Sequence, residues 1–189
     1  MSPVLTLEHN PVSEADFLAL PRDGRRYNLI EGTLIVSPGT RFDHGRYTDN
    51  LYASLSPFVR THRLGCLAPP DVAYRLTDDT IVMPDISFMS TPRLARIDPA
   101  APGFATVAPD LAVEILSPGN RPVAIREKMD VMFAAGTRLI WIVHPADRSV
   151  AIYRRPEPPD AVLGEADLLD GQDVLPGFSM PVKDIFILW

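Results

Sequence analysis

The chain has 189 residues, 46% of them hydrophobic and 22% charged, which suits one soluble domain with a full core. Its net charge of −6 argues against a general polyanion binder, but leaves room for a local basic groove. A single cysteine, Cys66, excludes an internal disulfide and fits a reducing cytoplasm. No apolar run reaches the length of a membrane span, and the first residues lack the basic start and apolar run of a signal peptide. A cytoplasmic protein without a membrane partner is therefore expected.

Residues 1–12 read as an arm. Ser13 has the chemistry of an N-cap, with Glu14 and Asp16 in the first turn of a short helix through Leu20. Tyr27–Ile30 and Thr33–Val36 read as strands joined by Glu31-Gly32, the length of a two-residue hairpin turn. Ser37-Pro38-Gly39 is a break. Arg41 to His62 is predicted as a helix, because Leu51, Leu55, Phe58 and Val59 recur at helical spacing. Its His44 reads as a surface or capping residue, and Gly65 as the stop. Cys66 to Leu76 is mostly apolar and extended, with Cys66 as a small core residue. Thr77-Asp78-Asp79-Thr80 is a polar hairpin turn.

Ile81 to Met89 is predicted as one strand carrying Asp85. Ser90 to Ala108 is a long loop holding Arg93 and Arg96, either solvated charges or phosphate contacts. Leu111 to Leu116 is a buried strand interrupted only by Glu114. Val123 to Ala135 is an amphipathic helix that Gly136 ends. Lys128 lies near the edge of its apolar face and is expected to present its amine there. Leu139 to Val143 is a fully apolar, central strand. The order strand, helix, strand predicts a parallel crossover. Ser149 to Arg154 alternates as a strand. The segment from 156 to 189 reads as an extension packed on the core, ending in an apolar turn near Ile185 and Phe186. No repeat or low-complexity tract divides the chain, so it reads as a single domain over 1–189.

Lone carboxylates in apolar strands require partners, because desolvating a charge costs several kcal/mol. A hard cation with oxygen ligands is one partner for Asp85 and Glu114, and a lysine such as Lys128 is the other. Two strand carboxylates and one ammonium suit metal-assisted phosphodiester hydrolysis, and equally a structural ion network. Other chemistries lack their residues. There is no Gly-rich phosphate loop. His9, His44, His62 and His144 have no zinc spacing. Ser117 is followed by Pro118, which removes the N–H that an oxyanion hole would use.

Taken in order, these residues resemble a known pattern. Pro84-Asp85, then Glu114 in a strand, then a lysine is similar to the PD-(D/E)XK restriction-endonuclease-like superfamily. More narrowly, the chain resembles the Uma-type family of restriction-endonuclease homologues from about Tyr27 to about Phe186. The likeness rests on Tyr27 with Leu29-Ile30-Glu31-Gly32, on Ser37-Pro38 with His44, on Pro84-Asp85 and on the run Pro109 to Pro118. Further on it rests on Glu127-Lys128, Ala135-Gly136, Trp141 with Val143 and Pro145, and Leu175-Pro176-Gly177-Phe178.

The resemblance implies an α/β fold: a restriction-endonuclease-like core with a central mixed sheet, flanking helices and an N-terminal β-hairpin. It implies Mg2+, with Mn2+ as a substitute, DNA as substrate and a homodimer. Carried over by position, Asp85 and Glu114 bind metal, and Lys128 orients or activates water or stabilises developing charge. Glu31 is a further acid for the metal site. The superfamily's usual lysine position is Leu116 here, and Lys128 on the next helix takes its place. The chain departs from the family at Asn28, where a glutamate is usual, and at Ala124, Leu139 and His144, where acids are usual.

Two functions of different class follow. One is a Mg-dependent endonuclease. The other is a catalytically silent binding or scaffold domain in which Asp85, Glu114 and Lys128 form a closed ion network.

Overall fold

The computed structural model describes residues 5–7, 12–21, 23–37, 41–98, 100 and 103–189. Residues 1–4 and 8–11 of the expected arm, with His9, lie outside the described residues, as do Pro38 and Gly39 of the expected break.

Strand β1 (Leu5–Leu7) precedes helix α1 (Glu14–Leu18). Ser13 caps α1 as expected: its hydroxyl accepts the Asp16 N–H, and the Asp16 carboxylate accepts from Ser13 in return. Strands β2 (Arg26–Ile30) and β3 (Thr33–Ser37) form the expected hairpin. Glu31 and Gly32 have φ of +48° and +75°, the left-handed backbone that matches the twist of a tight hairpin.

Helix α2 (Phe42–Thr61) buries Leu51, Leu55 and Val59. Each such aliphatic side chain contributes ~1.5–3 kcal/mol on burial. Gly65 does not stop this helix. It opens β4 (Gly65–Ala68), where a Cβ would collide with the Met89 carbonyl of the neighbouring strand. Because β4 is an edge strand, Cys66 is exposed rather than part of the core.

Strands β5 (Tyr74–Thr77) and β6 (Thr80–Val82) are antiparallel across the expected polar turn. The predicted strand over 81–89 is in fact two. β6 ends at Val82, and β7 (Ile86–Ser90) belongs to a different sheet. Pro84 has no N–H to give to a ladder, so pairing breaks at Met83-Pro84-Asp85 and the chain crosses between sheets. The long loop that follows carries a short helix, α3 (Thr91–Leu94).

Next come β8 (Leu111–Ile115), α4 (Pro122–Ala134) and β9 (Leu139–His144). β8 and β9 are parallel, as the crossover predicts. Gly136, at φ +99°, terminates α4 as expected. β10 (Ser149–Tyr153) and β11 (Ala161–Leu163) extend the sheet, and β12 (Leu168–Asp170) pairs with β13 (Ser179–Pro181). α5 (Val182–Ile185) closes the order with Val182 and Ile185 buried. One sheet runs β1-β3-β2-β6-β5 and the larger, mixed sheet runs β11-β10-β9-β8-β7-β4. The architecture is thus a central mixed sheet flanked by helices, with an N-terminal hairpin.

Period-two alternation fixes what faces what. Leu111, Val113 and Ile115 pack in one cluster with Leu139, Trp141, Ile86, Phe88 and the buried face of α2. Ala112, Ile140 and Ile142 pack in another with Met129 and Met132 of α4. Glu114 therefore faces α4, and Asp85, just before Ile86, falls on the same side. Among the described residues, no helix is long and apolar enough to cross a membrane.

Candidate active site

The β7–β8 register pairs Ile86 with Val113, and one further step sets Asp85 across from Glu114. The Asp85 N–H donates to the Val113 carbonyl at 3.0 Å, which continues the ladder into the crossing segment. Both carboxylates are buried, at 1% and 6% exposure. Like charges directly opposite one another on neighbouring strands repel, so the pair needs cations.

Each acid has one. Lys128 Nζ lies 2.6 Å from Glu114 Oε1 and donates to the Met83 carbonyl at 2.9 Å. Lys128 is buried instead of presenting its amine at the edge of α4, because Glu114 and Met83 draw it in. Arg26, the first residue of β2, donates through Nη1 to Asp85 Oδ1 and through Nη2 to the Met83 carbonyl at 3.3 Å. The other Asp85 oxygen accepts the Ile115 N–H at 2.7 Å. His44, read from sequence as a surface residue, is buried. Its Nε2 is 3.0 Å from the Ile115 carbonyl and 3.4 Å from Asp85 Oδ2. Asn28, two residues after Arg26 on the same face of β2, accepts the Met83 N–H at 2.9 Å.

The two carboxyls are pushed apart in acidity. Burial raises the Asp85 carboxyl, but His44 and the Arg26 guanidinium outweigh burial and hold it at about 2. Burial raises the Glu114 carboxyl more than Lys128 beside it lowers it, and the Asp85 charge adds to the rise. His44 is raised: burial opposes its protonation, and the Asp85 carboxylate overcomes that. Perturbed groups concentrated in this way mark candidate functional sites.

A model of the Uma2 family, described as "putative restriction endonuclease", matches residues 14–183. The chain belongs to the Uma2 family. Its fold matches the crystal structure of a putative nuclease belonging to DUF820 from Anabaena variabilis ATCC 29413. That match has a TM-score of 0.80 and 22% identity, and covers 93% of this chain and 98% of the other. No curated protein matches the chain.

The donor set of this Uma2 chain fits a hard cation. The two carboxylates, the Met83 carbonyl and the Asn28 amide offer only oxygen. Among the described residues, no group of three or more His, Cys, Asp or Glu could hold a metal ion. A hard cation held by two protein carboxylates would complete its shell with water and phosphate oxygens.

The fold brings Asp85, Glu114 and Lys128 together, and adds Arg26, which the sequence does not single out, and His44, which reads there as a surface or capping residue. Glu31 stands apart from these contacts. It is exposed on the hairpin turn, where it lines a cleft with Arg121, Glu127 and Asp130 of the α4 segment. Arg93 is not a solvated loop charge. It turns inward to Asp110 at 3.0 Å and to the carbonyls of Ala108, Pro109 and Gly136. Asp110 also accepts the Ser90 N–H at 2.8 Å and lies 3.5 Å from Arg138. This second buried ion cluster ties the start of β8 to the ends of β7 and α4.

Proposed function

We propose that this Uma2 chain is a magnesium-dependent endonuclease that hydrolyses phosphodiester bonds in DNA, with Mn2+ able to replace Mg2+. The observation that carries the reading is the facing pair of buried carboxylates with Lys128 at 2.6 Å from one of them. Asp85 and Glu114 hold the ion. Bound magnesium supplies Lewis acidity toward the scissile phosphate. Lys128, anchored by Glu114 and the Met83 carbonyl, acts as a donor: it orients the attacking water and offsets charge that develops on the phosphate. His44 keeps Asp85 Oδ2 in place from the α2 side. Water adds to phosphorus, the P–O ester bond breaks, and the products are a phosphate monoester and a free hydroxyl. The reading includes one domain over the whole chain, a homodimer and a cytoplasmic setting.

Nicking of a supercoiled plasmid tests it. Parent protein with Mg2+ is expected to cut, EDTA to stop cutting, and Asp85→Ala to reduce it at least a hundredfold while circular dichroism stays unchanged. Cutting that persists in Asp85→Ala overturns the assignment.

A second reading, a catalytically silent binding domain, draws on the pairing of Asp85 with Arg26 and of Glu114 with Lys128. It predicts no thermal stabilisation by divalent metal, even with DNA present.

A further inference from the structure

Arg26 holds the place where a cation belongs. Its guanidinium donates to Asp85 Oδ1 and to the Met83 carbonyl, a carboxylate oxygen and a main-chain oxygen of the kind a hard cation takes. The other buried arginine clamp looks different. Arg93 is tied to three carbonyls besides its carboxylate, so its position is set by the backbone around it. The side-chain hydrogen bonds described for Arg26 go to those two oxygens, and the nearby Glu114 and Asp71 carboxylates add to the field that favours its charge. Its side chain keeps 16% exposure at the first residue of β2, so it has a way out.

Charge points the same way. Counting these four side chains alone, Asp85 and Glu114 are balanced by Arg26 and Lys128. Adding a divalent ion to that buried set leaves two uncompensated positive charges, which is costly. With Arg26 withdrawn the excess is one charge, and a single phosphodiester closes the balance. A released guanidinium is itself a forked donor matched to phosphate oxygens.

We propose that Arg26 is a tethered cation that competes with the divalent ion for Asp85, so that ion binding is coupled to release of its guanidinium toward the substrate phosphate. Arg26 is thereby a residue that sets metal affinity and links it to nucleic acid. The inference rests on the metal-dependent reading above, and the test separates the two.

Mn2+ binding is followed by loss of the free-ion EPR signal. It is measured in the parent, Arg26→Met, Arg26→Gln, Asp85→Asn and the Arg26→Met/Asp85→Asn double variant, with circular dichroism confirming the fold. Both Arg26 variants are expected to bind Mn2+ at least tenfold more tightly than the parent, and the double variant to lose that binding. Equal or weaker binding in the Arg26 variants, with Asp85→Asn still abolishing it, overturns the competition and leaves the metal site standing. No binding in any protein overturns both. If the Arg26 variants do not fold, the parent decides. The 15N resonances of the Arg26 guanidinium must shift as Mg2+ saturates, and resonances unchanged at saturating Mg2+ overturn the proposal.

Discussion

Lys128 and Arg26 meet on one oxygen, the main-chain carbonyl of Met83, with Nζ at 2.9 Å and Nη2 at 3.3 Å. One cation comes from α4 and the other from β2, and each carries its own buried carboxylate. The shared oxygen is free because Pro84 interrupts the strand. A residue inside a continuous ladder would have given that carbonyl to a neighbouring strand. The proline before Asp85 thus makes the acceptor on which both cations converge.

Removing one partner of a buried pair leaves an uncompensated charge. Lys128→Met should destabilise the protein by ~3–5 kcal/mol, read from urea unfolding. Replacing both partners, Lys128→Met with Glu114→Leu, should recover most of that loss, since apolar substitutes for a buried pair are often neutral or better. Recovery of stability must not bring nicking activity with it.

Asp85 makes stability depend on pH. Its carboxyl falls from 3.8 in the unfolded chain to about 2 in the folded one. A lowered pKa gives stability that is full above the unfolded value and is lost as pH falls through the folded value. Between pH 4 and pH 2, in metal-free buffer, the parent should therefore lose on the order of 2 kcal/mol from this group. Asp85→Asn should flatten that part of the profile in urea melts. Glu114 works in the opposite sense. Its raised pKa favours the folded state at low pH, and that contribution is lost as pH rises above 4.5.

The Arg93–Asp110 cluster is expected to act on stability alone. Arg93→Leu leaves a carboxylate that is 2% exposed with only the partly exposed Arg138 as its cation, so unfolding free energy should drop by ~3 kcal/mol. At a temperature where the variant is fully folded, its Mn2+ affinity should stay within about twofold of the parent, because the cluster sits at the other end of β8 from Glu114.

Asn28 lies on the same face of β2 as Arg26 and holds the Met83 N–H through its amide oxygen. Asn28→Glu would add a third carboxylate at the cluster. Metal affinity follows the number of charged ligands, so Mn2+ should bind about tenfold more tightly, measured by the same EPR titration.

The sequence carried what depends on local chemistry. The Ser13 cap, the Glu31-Gly32 hairpin, the apolar stripe of α2 and the parallel β8-α4-β9 unit were all readable, because their signals lie within a few residues. Asp85, Glu114 and Lys128 stood out as charges in apolar surroundings. The rest depended on which chain segments meet. Arg26 was invisible because its partner is 59 residues away. One signal was available: Arg26 and Asn28 share a strand face with buried residues, where a charge needs a reason. His44 looked like a surface residue because nothing local shows that the first turns of α2 reach the end of β8. The run from 81 to 89 looked like one strand because its apolar character is continuous, and only Pro84 marks where the chain changes sheets.

In the proposed reaction Asp85 and Glu114 form a site for a divalent cation at a DNA phosphate. The most direct measurement is a calorimetric titration of Mg2+ into the protein bound to a short DNA duplex, comparing the parent with Asp85→Ala and Glu114→Ala. Saturable binding in the parent and its loss in both variants is the result expected of such a site. Binding that survives in both variants, or its absence in the DNA-bound parent, would contradict it.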